Sequence, residues 1–273
     1  MTGSWHARMV QEAARPPDAR PATPRTPTRK PTPRAPRRYQ NRALAGVRRV
    51  IRKSLLATTV KLGVDVELHG PENVDGLEGA FVVVANHSSH LDTALIYAAL
   101  PDHLTTNLAA GAAADHFFMS WRTALAPVLL FNAYPIDRPG RPHKGNHKGL
   151  SSALLKSGTP LLIFPEGTRS RTGAMATFTP GAGRLCVSRK VPCIPVALVG
   201  CSEAWPANNR LPRWPRRKVH VVVGRPLHPR PGEGVAAFTR RVEREVVDLH
   251  DATAERVGMR SLAVLAARRV RRR

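Results

Sequence analysis

The chain has 273 residues, long enough for one sizeable core with flexible ends, and a formal charge of +24 at pH 7. The excess is uneven: residues 1–53 carry 14 Lys+Arg against 2 Asp+Glu, and residues 256–273 carry 7 against none. Three scattered cysteines exclude a disulfide framework and suggest a reducing compartment, and the absence of 18 uninterrupted apolar residues excludes a transmembrane helix.

In chain order, residues 1–40 read as a disordered basic tail. "PPDARPATPRTPTRKPTPRAPR" offers almost nothing apolar to bury, so ordering it would cost entropy without return. The N-terminus has no apolar h-region, so a secretory signal is not expected. Residues 41–62 read as a basic amphipathic helix: Leu44, Val47, Ile51 and Leu55 fall on one face, and Arg48, Arg49, Arg52 and Lys53 on the other. Its apolar stripe suits an anionic membrane surface and docking on the core equally well. The basic arms attract any polyanion, nucleic acid or lipid.

From residue 63 short β-rich runs alternate with helical stretches. Strands are expected at 64–68, 81–85, 133–136, 160–164, 193–199 and 218–223, and helices at about 90–100, 115–130, 147–157, 181–190 and 233–256. Near-continuous apolar strands separated by helices predict an α/β fold with a single, mostly parallel sheet flanked by helices. A basic C-terminal tail, residues 259–273, follows; "SLAVLAARRVRRR" raises the same choice between membrane and core as the first helix.

Such sheets gather their chemistry beyond the carboxyl ends of strands, where "NHSSHLD", Asn86 to Asp92, stands. His87, His90 and Asp92 suggest a metal, but the histidines are three apart, unlike the H-x-H-x-D-H spacing of metal-dependent hydrolases, so no metal is expected. Ser89 and Asp92 have capping-box spacing, with Ser89 as N-cap and Asp92 at the third helical position. His87 and Asp92 are five apart, about 140° of helical rotation, so they meet only if Ser88 and Ser89 turn the chain. A carboxylate on one imidazole nitrogen would then leave the other to take a proton. His90 is expected to be a dispensable surface residue.

"NHSSHLD" resembles the N-H-x-x-x-x-D block of the glycerolipid acyltransferase family, the 1-acylglycerol-3-phosphate acyltransferases and their relatives. "FPEGTRS", Phe164 to Ser170, is similar to a further block of that family, followed by "FTPGAGRL" and by "VPCIPVALVG" with Pro195. The block at "NAYPIDR" departs from the family pattern: Ile136 and Arg138 are kept, while Asn132 stands near the glycine position and Pro135 replaces phenylalanine. The resemblance implies an acyltransferase domain over residues 63–258. His87 would be the general base, Asp92 would orient it, and a glycerol phosphate or lysophospholipid hydroxyl would attack an acyl thioester, acyl-CoA or acyl-carrier protein, without a resident cofactor.

Within that scheme Gly167 and Thr168 are candidate oxyanion donors, and Arg138 and Arg169 would hold an anionic acceptor. Glu166 would bond acceptor hydroxyls or pair with Arg169. The resemblance places the protein in the cytoplasm, peripheral on the inner face of the cell membrane, with no nucleic-acid partner. A catalytically silent anionic-surface binder and a thioester hydrolase are the competing readings.

Overall fold

Seven strands form one sheet in the order β1-β7-β6-β2-β5-β3-β4 in this computed structural model, which describes residues 37–56, 58, 62–137, 147, 149–209 and 211–270. The strands are β1 (Val64–His69), β2 (Val82–Ala85), β3 (Ala109–Ala113), β4 (Tyr134–Ile136), β5 (Leu161–Ile163), β6 (Cys193–Val199) and β7 (Arg217–Val223). Every neighbouring pair is parallel except β6 with β7.

The buried centre follows from the sequence of β2. All four residues of "VVVA" are buried, and alternate side chains enter opposite layers: Val83 and Ala85 join one apolar cluster, Val82 and Val84 the other. Helix Asp92–Ala99 covers the first layer. Helices Leu150–Lys156, Gly181–Arg189 and Val235–Arg256 cover the second. β6, "CIPVALV", is likewise buried throughout and splits the same way, Ile194, Val196 and Leu198 against Cys193. The three cysteines are buried and unpaired.

All six expected strands are present, and β3 is an addition. "AAGAA" has neither β-branched residues nor alternation, so nothing local marks it as a strand; it exists because β5 and β4 flank it. The single helix expected at 115–130 is two, Ala114–Phe117 and Trp121–Phe131, because Ser120 caps the second through a reciprocal pair with Thr123.

The ends also differ. Of the basic tail at 1–40, residues 37–40 form a 3-10 turn that buries Tyr39, and 1–36 lie outside the described residues. Helix Arg42–Ile51, continued by a wider turn Arg52–Leu56, sits on the domain through its arginines rather than its apolar stripe. Arg48 and Arg52 are buried; the Arg52 guanidinium lies 5.0 Å over the Tyr97 ring and donates to the carbonyls of Thr105 and Leu130. Leu44, Val47 and Val50 are consequently exposed. At the other end Leu262–Val270 is helical, with Leu262 and Leu265 buried beside Ala174. Among the described residues no helix is long and apolar enough to cross a membrane.

Candidate functional site

The carboxyl ends of β2, β3, β4 and β5 point the same way, which brings the loops after them together. The first is the "NHSSHLD" turn. Asn86 anchors it to the neighbouring strand: its amide donates to the Leu198 carbonyl at 2.9 Å and its Oδ1 accepts the Leu198 N–H at 2.8 Å. His87 Nδ1 then lies 2.8 Å from Asp92 Oδ2. That oxygen also accepts the N–H groups of Ser88 and Ser89 at 2.7 and 2.8 Å.

Asp92 is fully buried, where a carboxylate persists only with such partners. The expected capping box forms in half. Helix Asp92–Ala99 begins at Asp92 itself, and Ser89 Oγ instead accepts the Leu91 N–H and donates to the Trp205 carbonyl. Ser89 is thus tied to the chain after β6, and the Asp92 carboxylate, freed of a helix-capping duty beyond Ser88 and Ser89, faces His87.

The second loop, "FPEGTRS", encloses His87 from the other side. The imidazole stacks on Phe164 with centroids 3.9 Å apart and planes 15° from parallel. Both main-chain polar groups of His87 are taken: its N–H donates to Glu166 Oε1 at 2.7 Å, and its carbonyl accepts the Ser170 N–H at 2.7 Å. Glu166 Oε2 accepts the Ala176 N–H at 2.8 Å. Burial pushes the Glu166 carboxyl up to about 7, against the two N–H groups that favour its charged form. Glu166 thus bonds two backbone N–H groups, and its expected pairing with Arg169 is not formed among the described residues.

Arg169 instead donates to His90 Nδ1, and His90 Nε2 reaches the Ala207 carbonyl at 3.1 Å. This pattern fits a neutral imidazole, and both burial and the Arg169 charge hold the His90 pKa below its usual value. His90 is exposed as expected, yet it is the side chain that aims Arg169. Gly167 turns the loop with φ +74°, a conformation that favours glycine, and its N–H is spent on the Phe164 carbonyl at 3.1 Å. Of the two expected oxyanion donors, the Thr168 N–H is the one that makes no backbone bond among the described residues. Arg138 lies outside the described residues.

These groups share one cavity of about 610 Å3. His87, His90, Thr168 and Arg169 line its polar part, while Phe117, Phe131, Ile136 and Ile163 give it apolar walls. The small side chains of Ala110 to Ala113, from the unexpected strand β3, form another wall and leave the volume open. Chemically, a carboxylate holding Nδ1–H leaves the His87 Nε2 lone pair to accept a proton from a hydroxyl, beside a guanidinium and an apolar chamber.

A family profile described as Acyltransferase matches residues 65–199, which include both loops. Over this segment the chain is similar to the glycerolipid acyltransferases. Among the relatives, a probable 1-acyl-sn-glycerol-3-phosphate acyltransferase of Mycoplasma pneumoniae is 27% identical, covering 61% of this chain and 63% of that one. The 1-acyl-sn-glycerol-3-phosphate acyltransferase of Saccharomyces cerevisiae is 32% identical over 52% of this chain and 45% of its own length. The alpha form from Ovis aries is 28% identical over 73% and 67%. The match thus spans between 45% and 67% of these three relatives' lengths. The crystal structure of the 1-acyl-sn-glycerophosphate acyltransferase PlsC from Thermotoga maritima superposes with a TM-score of 0.55 at 25% identity, covering 73% of this chain and 80% of that one.

Proposed function

We propose that this protein is an O-acyltransferase that moves a fatty acyl group from acyl-CoA or acyl-carrier protein to the free hydroxyl of lysophosphatidic acid or a close relative, for phospholipid biosynthesis. The observation that carries the reading is the contact of His87 Nδ1 with the buried Asp92, with the His87 ring lining a cavity shared with Arg169. Nε2 of His87 takes the hydroxyl proton as the oxygen attacks the thioester carbon. The tetrahedral intermediate, with the Thr168 N–H as a donor to its oxygen, then expels the thiolate, which recovers the proton from His87. A thioester is already activated, so no enzyme nucleophile is needed. Arg169 answers the acceptor phosphate, and the apolar walls answer its chain.

The exposed row Leu44, Val47 and Val50, on a helix rich in arginine, supports work at an anionic membrane surface, on the inner face of the cell membrane. The neighbouring helix Trp121–Phe131 adds exposed Trp121 and Leu125. The test is product analysis by mass spectrometry with lysophosphatidic acid, glycerol 3-phosphate and other lysolipids against acyl-CoA and acyl-carrier protein. Diacylated product that disappears in His87→Ala is the expected result. Thioester cleavage that does not need an acceptor would instead make it a hydrolase.

A further inference from the structure

The mechanism leaves unused a cluster on the outer strands of the sheet. Glu67 and His69 stand two apart on β1, so their side chains share a face, and His220 of β7 is the register partner of Glu67. β1 is an edge strand, and β7 and β6 separate it from β2, so the cluster is about 14 Å from the His87 strand at the usual strand spacing.

The three side chains converge. His69 Nε2 is 3.1 Å from His220 Nδ1, Glu67 Oε1 is 3.6 Å from His69 Nε2, and Glu67 Oε2 is 3.8 Å from His220 Nδ1. Tetrahedral ligation with bonds of 2.0 to 2.2 Å separates ligand atoms by roughly 3.4 Å, and the three observed spacings bracket that value. His220 is 1% exposed, and its other nitrogen, Nε2, has no hydrogen-bond partner among the described residues. The ring therefore has one polar direction open to it, toward Glu67 and His69.

We propose that Glu67, His69 and His220 form a binding site for a zinc-class divalent ion, completed by water, that clips the edge strand β1 to β7. Two imidazoles and one carboxylate select borderline transition ions over calcium or magnesium, which take all-oxygen shells. Two cations border the site: Lys218 Nζ is 3.4 Å from Glu67 Oε2, and Arg256 lies 3.5 Å from His69 Nδ1. Both are long side chains at the surface, and ion binding moves Lys218 off the carboxylate and turns His69 to its Nδ1–H tautomer.

The test uses the full chain after chelator treatment, titrated with zinc chloride by calorimetry and with cobalt(II) by visible absorption, which reports four-coordination. One equivalent is expected to bind, with a rise in thermal midpoint. His69→Ala and Glu67→Gln, both at accessible positions that spare the buried His220, should each weaken binding more than about tenfold. Lys218→Met should tighten it. The His87→Ala/His90→Ala double variant should bind as the parent does. The proposal is overturned if the parent binds no ion, if His69→Ala binds as tightly, if Lys218→Met fails to tighten binding, or if the His87→Ala/His90→Ala variant is the one that loses the ion.

Discussion

Glu166 holds the main chain of His87: its Oε1 accepts the His87 N–H at 2.7 Å while its Oε2 accepts the Ala176 N–H at 2.8 Å. The two sequence blocks, separated by 71 residues between Asp92 and Phe164, thus meet through a buried carboxylate whose role is to position the imidazole. Glutamine in its place offers one acceptor to two donors, leaving an unsatisfied N–H that costs about 1 to 3 kcal/mol. Glu166→Gln should keep the fold and lower acyl transfer at least about tenfold through misplacement of His87. Circular dichroism and steady-state rates measured on the same samples check both halves.

The same residue predicts a pH dependence of stability. Burial, with the negative charges of Asp92 and Glu243, raises its folded-state pKa to about 7 from 4.5. The folded chain therefore binds this proton more tightly than the unfolded chain. Its contribution is full below pH 4.5 and is lost as pH rises to about 7, at most about 3 kcal/mol in all. Urea midpoints across that window should fall with pH in the parent, and Glu166→Gln should flatten the slope.

His87→Ala should remove transfer with little change in folding, because the ring is a partly exposed stack on Phe164. Asp92→Asn should lower turnover by about 10² to 10⁴, since the amide cannot hold the Nδ1–H tautomer as a charged acceptor does. It should also destabilise the turn, because Oδ2 serves three donors at once. Equal turnover in parent and Asp92→Asn would remove Asp92 from the mechanism.

Asn86→Ala loses both bonds to the Leu198 main chain in a buried place, leaving a donor and an acceptor unpaired. A loss of about 1 to 3 kcal/mol in unfolding free energy is expected, accompanied by reduced transfer as the His87 turn loosens. Chemical denaturation measures the first and initial rates the second.

His90→Ala should raise the KM for a phosphate-bearing acceptor several-fold while kcat changes little, because Arg169 loses the partner that aims it. Acid has the same sense. His90 accepts from Arg169 only when neutral, so the contact fails as pH drops through its lowered pKa. A kcat loss with KM unchanged would assign His90 to the chemistry instead.

Replacing Leu44, Val47 and Val50 by serine removes exposed apolar surface and should release the protein from anionic vesicles in co-sedimentation, with turnover of a soluble short-chain substrate retained. Unchanged sedimentation would move membrane contact elsewhere on the surface.

The amino-acid sequence by itself determined the α/β class, six of seven strands, and the pairing of His87 with Asp92. Those features are written locally, in apolar runs such as "VVVA" and in a turn of two serines, or in blocks quoted whole. β3 was not legible because "AAGAA" is a strand only by virtue of its neighbours, although it lines the cavity. The inward face of the first helix was left open, because periodicity sorts apolar from charged positions without saying which of them meets the domain; Tyr97 and two carbonyls decided that Arg52 does. The contacts of Glu166 and His90, and the meeting of His69 with His220 151 residues away, belong to the tertiary structure alone. Hydrogen bonds of this kind join atoms that strand order brings within 3 Å or so, and strand order is set by packing of the whole sheet rather than by any single segment.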